Sequence, residues 1–210
     1  MYISGTLSLL KYRLFARHKN GHGIHSPFVF NLITKIFRNK SNADIVLLIE
    51  KIRKKRKLDK RLVKVSDLGA GSMKMKGSLR KISDITRYSA VPEKYGLLLY
   101  NLSAEFGRKS IIEFGTSTGI STMYLASGNP DSVVITMEGC DMISSIAREN
   151  FKEAGLTNIN LLTGSFDDLI PEVFEKAGTP GLVFIDGNHR KDAVVKYYYP
   201  NFKPKEDILQ

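Results

Sequence analysis

The 210-residue sequence predicts an α/β protein: a mostly parallel sheet covered by helices on both faces, in three layers, behind a basic helical extension. Three observations predict it. From residue 110 onward, four short apolar runs alternate with helical segments, the pattern of parallel strands joined by crossover helices. Before residue 60, apolar residues recur at helical spacing and nothing alternates like a strand. The charge also changes sign along the chain: residues 1–110 carry 24 Lys and Arg against 7 Asp and Glu, whereas residues 111–210 carry 8 against 14. The expected divisions are a basic extension over 1–60, a connecting segment over 61–92 and the α/β core over 93–210.

In the extension, Ile3, Leu7, Leu10, Leu14 and Phe15 mark an amphipathic helix over residues 2–17, with Lys11, Arg13 and Arg17 between them. "HSPFVFNLITKIF" begins a second helix near residue 27, because Ser26 suits the N-cap and Pro27 the first helical position. A third follows in "NADIVLLIEKIRKKRKL", with Asn42 as cap and Ile45, Leu48, Ile49 and Ile52 on one face. The run "KIRKKRKLDKRLVK" at 51–64 suits nucleic acid or an anionic lipid surface, and equally the solvated side of a helix. In the core, "SIIEF" leads to a helix at about 119–127 and "SVVITME" to one at about 141–154. "NINLLTG" precedes the helical "FDDLIPEVFEKAG", and "GLVFIDG" precedes "HRKDAVVKYY". The single cysteine, Cys140, excludes an internal disulfide and fits a reducing compartment, so a cytoplasmic address is expected. The opening residues lack a signal-peptide pattern, and no run approaches the ~18 apolar residues of a membrane span.

Two stretches resemble a cofactor loop. In "VSDLGAGS" (65–72) no helix start follows; the chain continues "MKMKGSLRKISD", and no second strand is expected before residue 111, so this segment is assigned to a connection. In "IIEFGTSTGIS" (111–121) a strand precedes Gly115-Thr116-Ser117-Thr118-Gly119 and a helix follows. Glu138 ends the next strand, where an acid can accept hydrogen bonds from both ribose hydroxyls of an adenosine-containing cofactor. The loop spacing is G-x-x-x-G, not the G-x-G-x-x-G of dinucleotide sites, and Glu113 at its mouth would repel a pyrophosphate. A cationic cofactor fits better. S-adenosylmethionine, with an α-ammonium group, a sulfonium centre and no phosphate, matches that charge pattern.

"EFGTSTGIS", "VITMEGC", "LLTGSFDDLIP" and "LVFIDGNH", in this order, resemble class I S-adenosylmethionine-dependent methyltransferases, closest to the small-molecule O-methyltransferases of the catechol and caffeoyl-CoA type. "HGIHSPFVF", "DLGAGS" and "FIDGNHRK" also resemble a bacterial group of uncharacterised methyltransferases. The resemblance implies a Rossmann-like fold, in which Glu113, Gly115, Thr116, Ser117 and Gly119 surround the methionine part and Ser121 lies near its carboxylate. It implies further that Glu138 holds the ribose, that Gly139 and Cys140 border the adenine on one edge, and that Gly164, Ser165 and Phe166 border it on the other. Asp186 matches the acid that ligates Mg²⁺ in metal-dependent relatives, and His189 stands where a base could act, although a lone histidine is more often structural. Either a metal held by Asp186 or a base such as His189 would stabilise an acceptor oxyanion.

The family's sheet has more strands than the four read here, so the sheet is expected to be cut short, with poor stability or association as the consequence; the apolar "HSPFVF" helix suits a cover over the active site and equally a homodimer interface. Three functions stay open on the sequence: an active small-molecule O-methyltransferase, an incomplete relative that only binds cofactor or a partner, and a nucleic-acid-directed enzyme. Against the last, "IDGNH" stands where a base-modifying Asn-Pro-Pro-Tyr-type motif would follow the fourth strand. The basic residues Lys74, Lys76, Arg80 and Lys81 suit an anionic small acceptor.

Overall fold

The computed structural model describes residues 26–37, 43–66, 78–187 and 191–198. They belong to two units, Met1–Lys40 and Ser41–Gln210. In the first unit, α1 (Pro27–Asn31) starts as the sequence predicts: the Ser26 hydroxyl accepts the Val29 N–H at 3.4 Å and Pro27 occupies the first turn. The helix widens into a π-helical turn over Leu32–Ile36, closed by the Phe37 N–H on the Leu32 carbonyl. The helix expected over 2–17, the Asn42 cap, the "DLGAGS" segment, Lys74, Lys76 and His189 all lie outside the described residues.

The second unit opens with α2 (Ala43–Arg56), an antiparallel hairpin of β1 (Leu62–Lys64) and β2 (Leu79–Lys81), α3 (Ile82–Ser89) and α4 (Glu93–Phe106). The α/β alternation follows: β3 (Ser110–Phe114), α5 (Ile120–Gly128), β4 (Val133–Glu138), α6 (Asp141–Glu153), β5 (Ile159–Thr163), α7 (Phe166–Ala177), β6 (Leu182–Ile185) and α8 (Lys191–Tyr198). The four later strands form one parallel sheet in the order β5-β4-β3-β6. Both faces of β3 are buried, as a parallel strand between helical layers requires. Ile111 joins Leu99, Met123, Tyr124 and Phe151 on one face, while Ile112 and Phe114 join Val173, Ala177 and Tyr197 on the other. Three layers result, with the carboxyl ends of all four strands at one edge. Among the described residues, no helix is long and apolar enough to cross a membrane.

Two expectations need correction. The division near residue 60 lies instead at Lys40–Ser41, because α2 is part of the core: Ile49 and Ile52 are fully buried and the Tyr124 hydroxyl donates to Glu50 Oε1 at 2.8 Å. The segment 61–92 is not a plain connection, and strands do occur before residue 111. Each hairpin strand is three residues long, with Val63 the one fully inward side chain on β1, too short for alternation to register. The hairpin and α3 nonetheless bury Val63, Val65, Ile82 and Ile85 against Cys140, Ile143 and Ile146.

Candidate functional site

The site forms where β3 and β4 end, because the loop after β3 must turn sharply to enter α5. Three of its residues have positive φ: Gly115 (102°), Ser117 (48°) and Gly119 (79°). Glycine is required twice. A Cβ at Gly115 would stand 3.0 Å from the Asp186 carbonyl oxygen, and one at Gly119 would stand 2.4 Å from the Phe151 ring. Ser117 has a side chain in a conformation that costs energy, so its surroundings must hold it there. They do so from several sides. The Gly115 and Thr116 N–H groups donate to the Met137 carbonyl at 3.1 and 3.0 Å, and the Ser117 N–H donates to Glu138 Oε2 at 2.8 Å. The hydroxyls of Ser117 and Ser89, the last residue of α3, lie 2.7 Å apart.

Glu113 projects from β3 beneath this loop and is fully buried. Its Oε2 accepts from the hydroxyls of Thr122 on α5 and Thr136 on β4, and Thr136 is 2.6 Å from the Thr116 hydroxyl. Oε1 is buried with no hydrogen-bond partner among the described residues. Burial pushes this carboxyl up to about 7, against the hydroxyls of Ser121, Thr122 and Thr136, which favour the charged form; the negative Asp186 adds to the rise. Ser121, itself buried at the start of α5, is one of the hydroxyls that favour the charged form. A buried carboxylate oxygen without a donor is costly, and a cation or an N–H group would relieve it.

Glu138 sits differently. Half-buried at the end of β4, it accepts the Ser117 N–H on one oxygen and the Cys140 N–H on the other, at 2.8 and 3.0 Å. It thereby ties the β3 loop to the start of α6. Gly139 is half-buried beside it, whereas the Cys140 side chain packs inward with Val63, Ile82 and Ile143 and donates weakly to the Lys64 carbonyl. Past β5, the Gly164 N–H donates to the Glu138 carbonyl at 2.9 Å and Ser165 precedes α7 as its N-cap. The Phe166 ring packs edge-on against Phe114 and Tyr197, at centroid distances of 5.7 and 5.9 Å. Asp186 follows β6, exposed, with its N–H on the Phe114 carbonyl.

The strand ends thus bring together Glu113, the Gly115–Gly119 loop, Ser121, Glu138, Gly139, Gly164 and Asp186. The partly buried Phe166 ring also packs on Phe114 and Tyr197, and His189 lies outside the described residues. Among the described residues, no group of three or more His, Cys, Asp or Glu side chains is arranged to hold a metal ion. An open groove lined by Arg148, Phe151, Lys152, Leu156, Ile159 and Leu161 lies at the amino end of β5 and contains none of the expected site residues.

Sequence reasoning missed Thr122, Thr136, Ser89 and Asn150. Asn150 is fully buried, and its side-chain N–H₂ donates to the Thr118 carbonyl at 2.8 Å. A signal existed: the residue falls on the apolar stripe of its helix, with Ile143, Ile146 and Ala147, where a polar side chain needs a partner.

Residues 112–205 match the family model described as a methyltransferase domain. The fold is Rossmann-like and is shared with O-methyltransferases of known structure. The chain is similar to the catechol O-methyltransferase of Niastella koreensis, 31% identical over 102 residues that cover 47% of this chain and 46% of that protein. It is also similar to the catechol O-methyltransferase of Mycobacterium tuberculosis, 33% identical over 102 residues that cover 47% and 45%. The chain spans about half the length of these curated relatives. Among solved structures, an O-methyltransferase from Bacillus cereus in complex with SAH superposes with a TM-score of 0.54 at 20% identity, over 78% of this chain and 64% of the other. The O-methyltransferase TomG from Streptomyces achromogenes, in complex with SAM, gives 0.53 at 20% identity over 78% and 63%.

Proposed function

We propose that the chain is an S-adenosylmethionine-dependent methyltransferase that places a methyl group on an oxygen of a small-molecule acceptor. The observation that carries this is Glu113: a fully buried carboxyl beneath a left-handed glycine loop, one oxygen without a donor, where a pyrophosphate would be repelled and an α-ammonium group would supply the missing N–H. Glu138 supports it. Its half-buried carboxylate ends β4, tied to the glycine loop by the Ser117 N–H and to the start of α6 by the Cys140 N–H, where an acid can accept from ribose hydroxyls. In this assignment Gly115, Thr116, Ser117, Gly119 and Ser121 surround the methionine part, and Gly139, Gly164, Ser165 and Phe166 border the adenine. The O-methyltransferase names of the relatives point the same way.

S-adenosylmethionine supplies a methyl group already activated on a sulfonium centre. The chain's task is therefore to align the acceptor and exclude water. Asp186, next to the loop through its backbone contact with Gly115, is the described carboxylate placed to take up or orient the acceptor's proton. His189 is a second candidate for that proton. Magnesium asks for several oxygen ligands in octahedral geometry; among the described residues no group of three or more His, Cys, Asp or Glu side chains could hold it, so no step is assigned to a metal. A cytoplasmic address, an anionic acceptor recruited by the basic half and association into a homodimer complete the proposal.

Calorimetric titration with S-adenosylhomocysteine, beside a Glu138→Ala variant, tests it. Micromolar binding weakened about 100-fold in the variant is expected, the scale of lost charged hydrogen bonds. A folded chain that gives no binding heat overturns the assignment. Turnover is then read as labelled methyl appearing on a panel of small hydroxylated acceptors.

A further inference from the structure

The glycine loop is held from a helix outside the methyltransferase-domain segment. Arg56, the last residue of α2, has a side chain only 4% exposed. Its Nε donates to Asn150 Oδ1 at 2.6 Å, and Asn150 Nδ2 donates in turn to the Thr118 carbonyl at 2.8 Å. The amide has no freedom to flip, because the guanidinium has only donors and so fixes which end of Asn150 faces it. Arg56 is itself braced. Its remaining nitrogens reach Asp59 Oδ2 at 3.3 Å and Glu149 Oε2 at 2.9 Å, and Arg61 bridges the same two carboxylates at 2.7 and 3.2 Å. Asp59 is held well below the ordinary carboxylate range, at about 2, chiefly by the Arg61 guanidinium. At the other end of the chain of contacts, Thr118 stands between two residues of positive φ, Ser117 and Gly119. A conformation of that cost persists only where neighbours over-determine it, and the Asn150 amide supplies one such constraint.

We propose that Arg56 and Asn150 are positioning residues for the Gly115–Gly119 loop: the Arg56–Asn150–Thr118 chain makes α2 part of the cofactor site. The consequence for cofactor affinity rests on the function proposed above; the consequence for the loop does not. A comparison is built in, because Tyr124 and Glu50 also join α2 to the core through a buried hydrogen bond, one that does not touch the loop.

The test uses the full chain with Asn150→Asp, Arg56→Lys and Tyr124→Phe, reading amide hydrogen exchange, melting temperature and S-adenosylhomocysteine affinity. The aspartate keeps an acceptor for Arg56 but sets a carboxylate oxygen against the Thr118 carbonyl. We expect exchange across residues 115–120 to quicken at least tenfold in Asn150→Asp, with β4 protection retained and affinity lowered about tenfold. Arg56→Lys, which keeps the charge and loses the Nε–H, should show the same order with a smaller effect. Tyr124→Phe should lower the melting temperature and leave loop exchange within twofold of wild type. Loop exchange within twofold of wild type in Asn150→Asp overturns the proposal, as does an equal rise in Tyr124→Phe. If wild type fails to bind S-adenosylhomocysteine, the cofactor assignment falls while loop exchange still decides the positioning role. Asn150→Ser replaces the aspartate variant should that one fail to fold.

Discussion

The carboxyl ends of β3 and β4 lie side by side, and they treat an acidic side chain in opposite ways. At the first, Glu113 is sealed from water and met by neutral hydroxyls; at the second, Glu138 is half-buried and met by two backbone N–H groups. Hydroxyls do not offset the desolvation of Glu113, and its pKa rises to about 7. The difference separates two tasks. Glu138 fixes geometry, because each of its bonds ties one backbone segment to another. Glu113 answers to charge, because a cation beside Oε1 would change its protonation.

The largest expected effect breaks that contrast at Glu113. Between pH 4.5 and about 7 the folded chain keeps a proton that the unfolded chain has lost, so stability falls as pH rises through this window. Below it both states hold the proton, and above it both have lost it. A shift of this size corresponds to about 3 kcal/mol. Glu113→Gln should remove this component: urea unfolding at pH 5 and pH 8 should show wild type losing about 3 kcal/mol more than the variant between the two. Equal pH dependence in both proteins would show that the buried carboxyl does not titrate in this range. Added S-adenosylhomocysteine should sharpen the contrast, since its ammonium group favours the charged form and binding below pH 7 should release a proton.

A smaller effect is expected at Thr136, whose hydroxyl donates to Glu113 and meets Thr116. Thr136→Val keeps the shape and removes a donor that favours the charged carboxyl. The Glu113 pKa should move further up, and the variant should lose about 1 kcal/mol more at pH 8 than at pH 5. Urea unfolding at the two pH values checks this, and a loss equal at both would assign the Thr136 hydroxyl to the loop alone.

The two acids were legible for different reasons. Their spacing from the glycines and their place after apolar runs located both, along with the four parallel strands and the helices between them. What surrounds them was not legible, because Thr122, Thr136 and Asn150 acquire their partners from strands and helices 9 to 32 residues away. Periodicity reports which face of an element is apolar, not which neighbour it meets. The hairpin of β1 and β2 escaped for a related reason: three-residue strands carry too little pattern, and their order comes from packing Val63 and Val65 onto α6. Likewise α2 looked like a charged extension because its basic residues outnumber the two isoleucines, Ile49 and Ile52, that lock it into the core.

The smallest expected effect lies on the Glu138 side of the comparison. Ser89 meets the loop through one contact, its hydroxyl 2.7 Å from that of Ser117, and also donates to the Ile85 carbonyl. This pair is exposed, so water can replace either partner, and an exchange of that kind is worth about 0.5 kcal/mol or less. The stronger restraint on Ser117, its N–H bond to Glu138, does not involve Ser89. Ser89→Ala should therefore weaken S-adenosylhomocysteine binding by about two- to threefold at most, equally at pH 6 and pH 8, because no titrating group loses a partner. A tenfold loss would mean that the end of α3, and not the Glu138 carboxylate, holds Ser117 in its left-handed conformation.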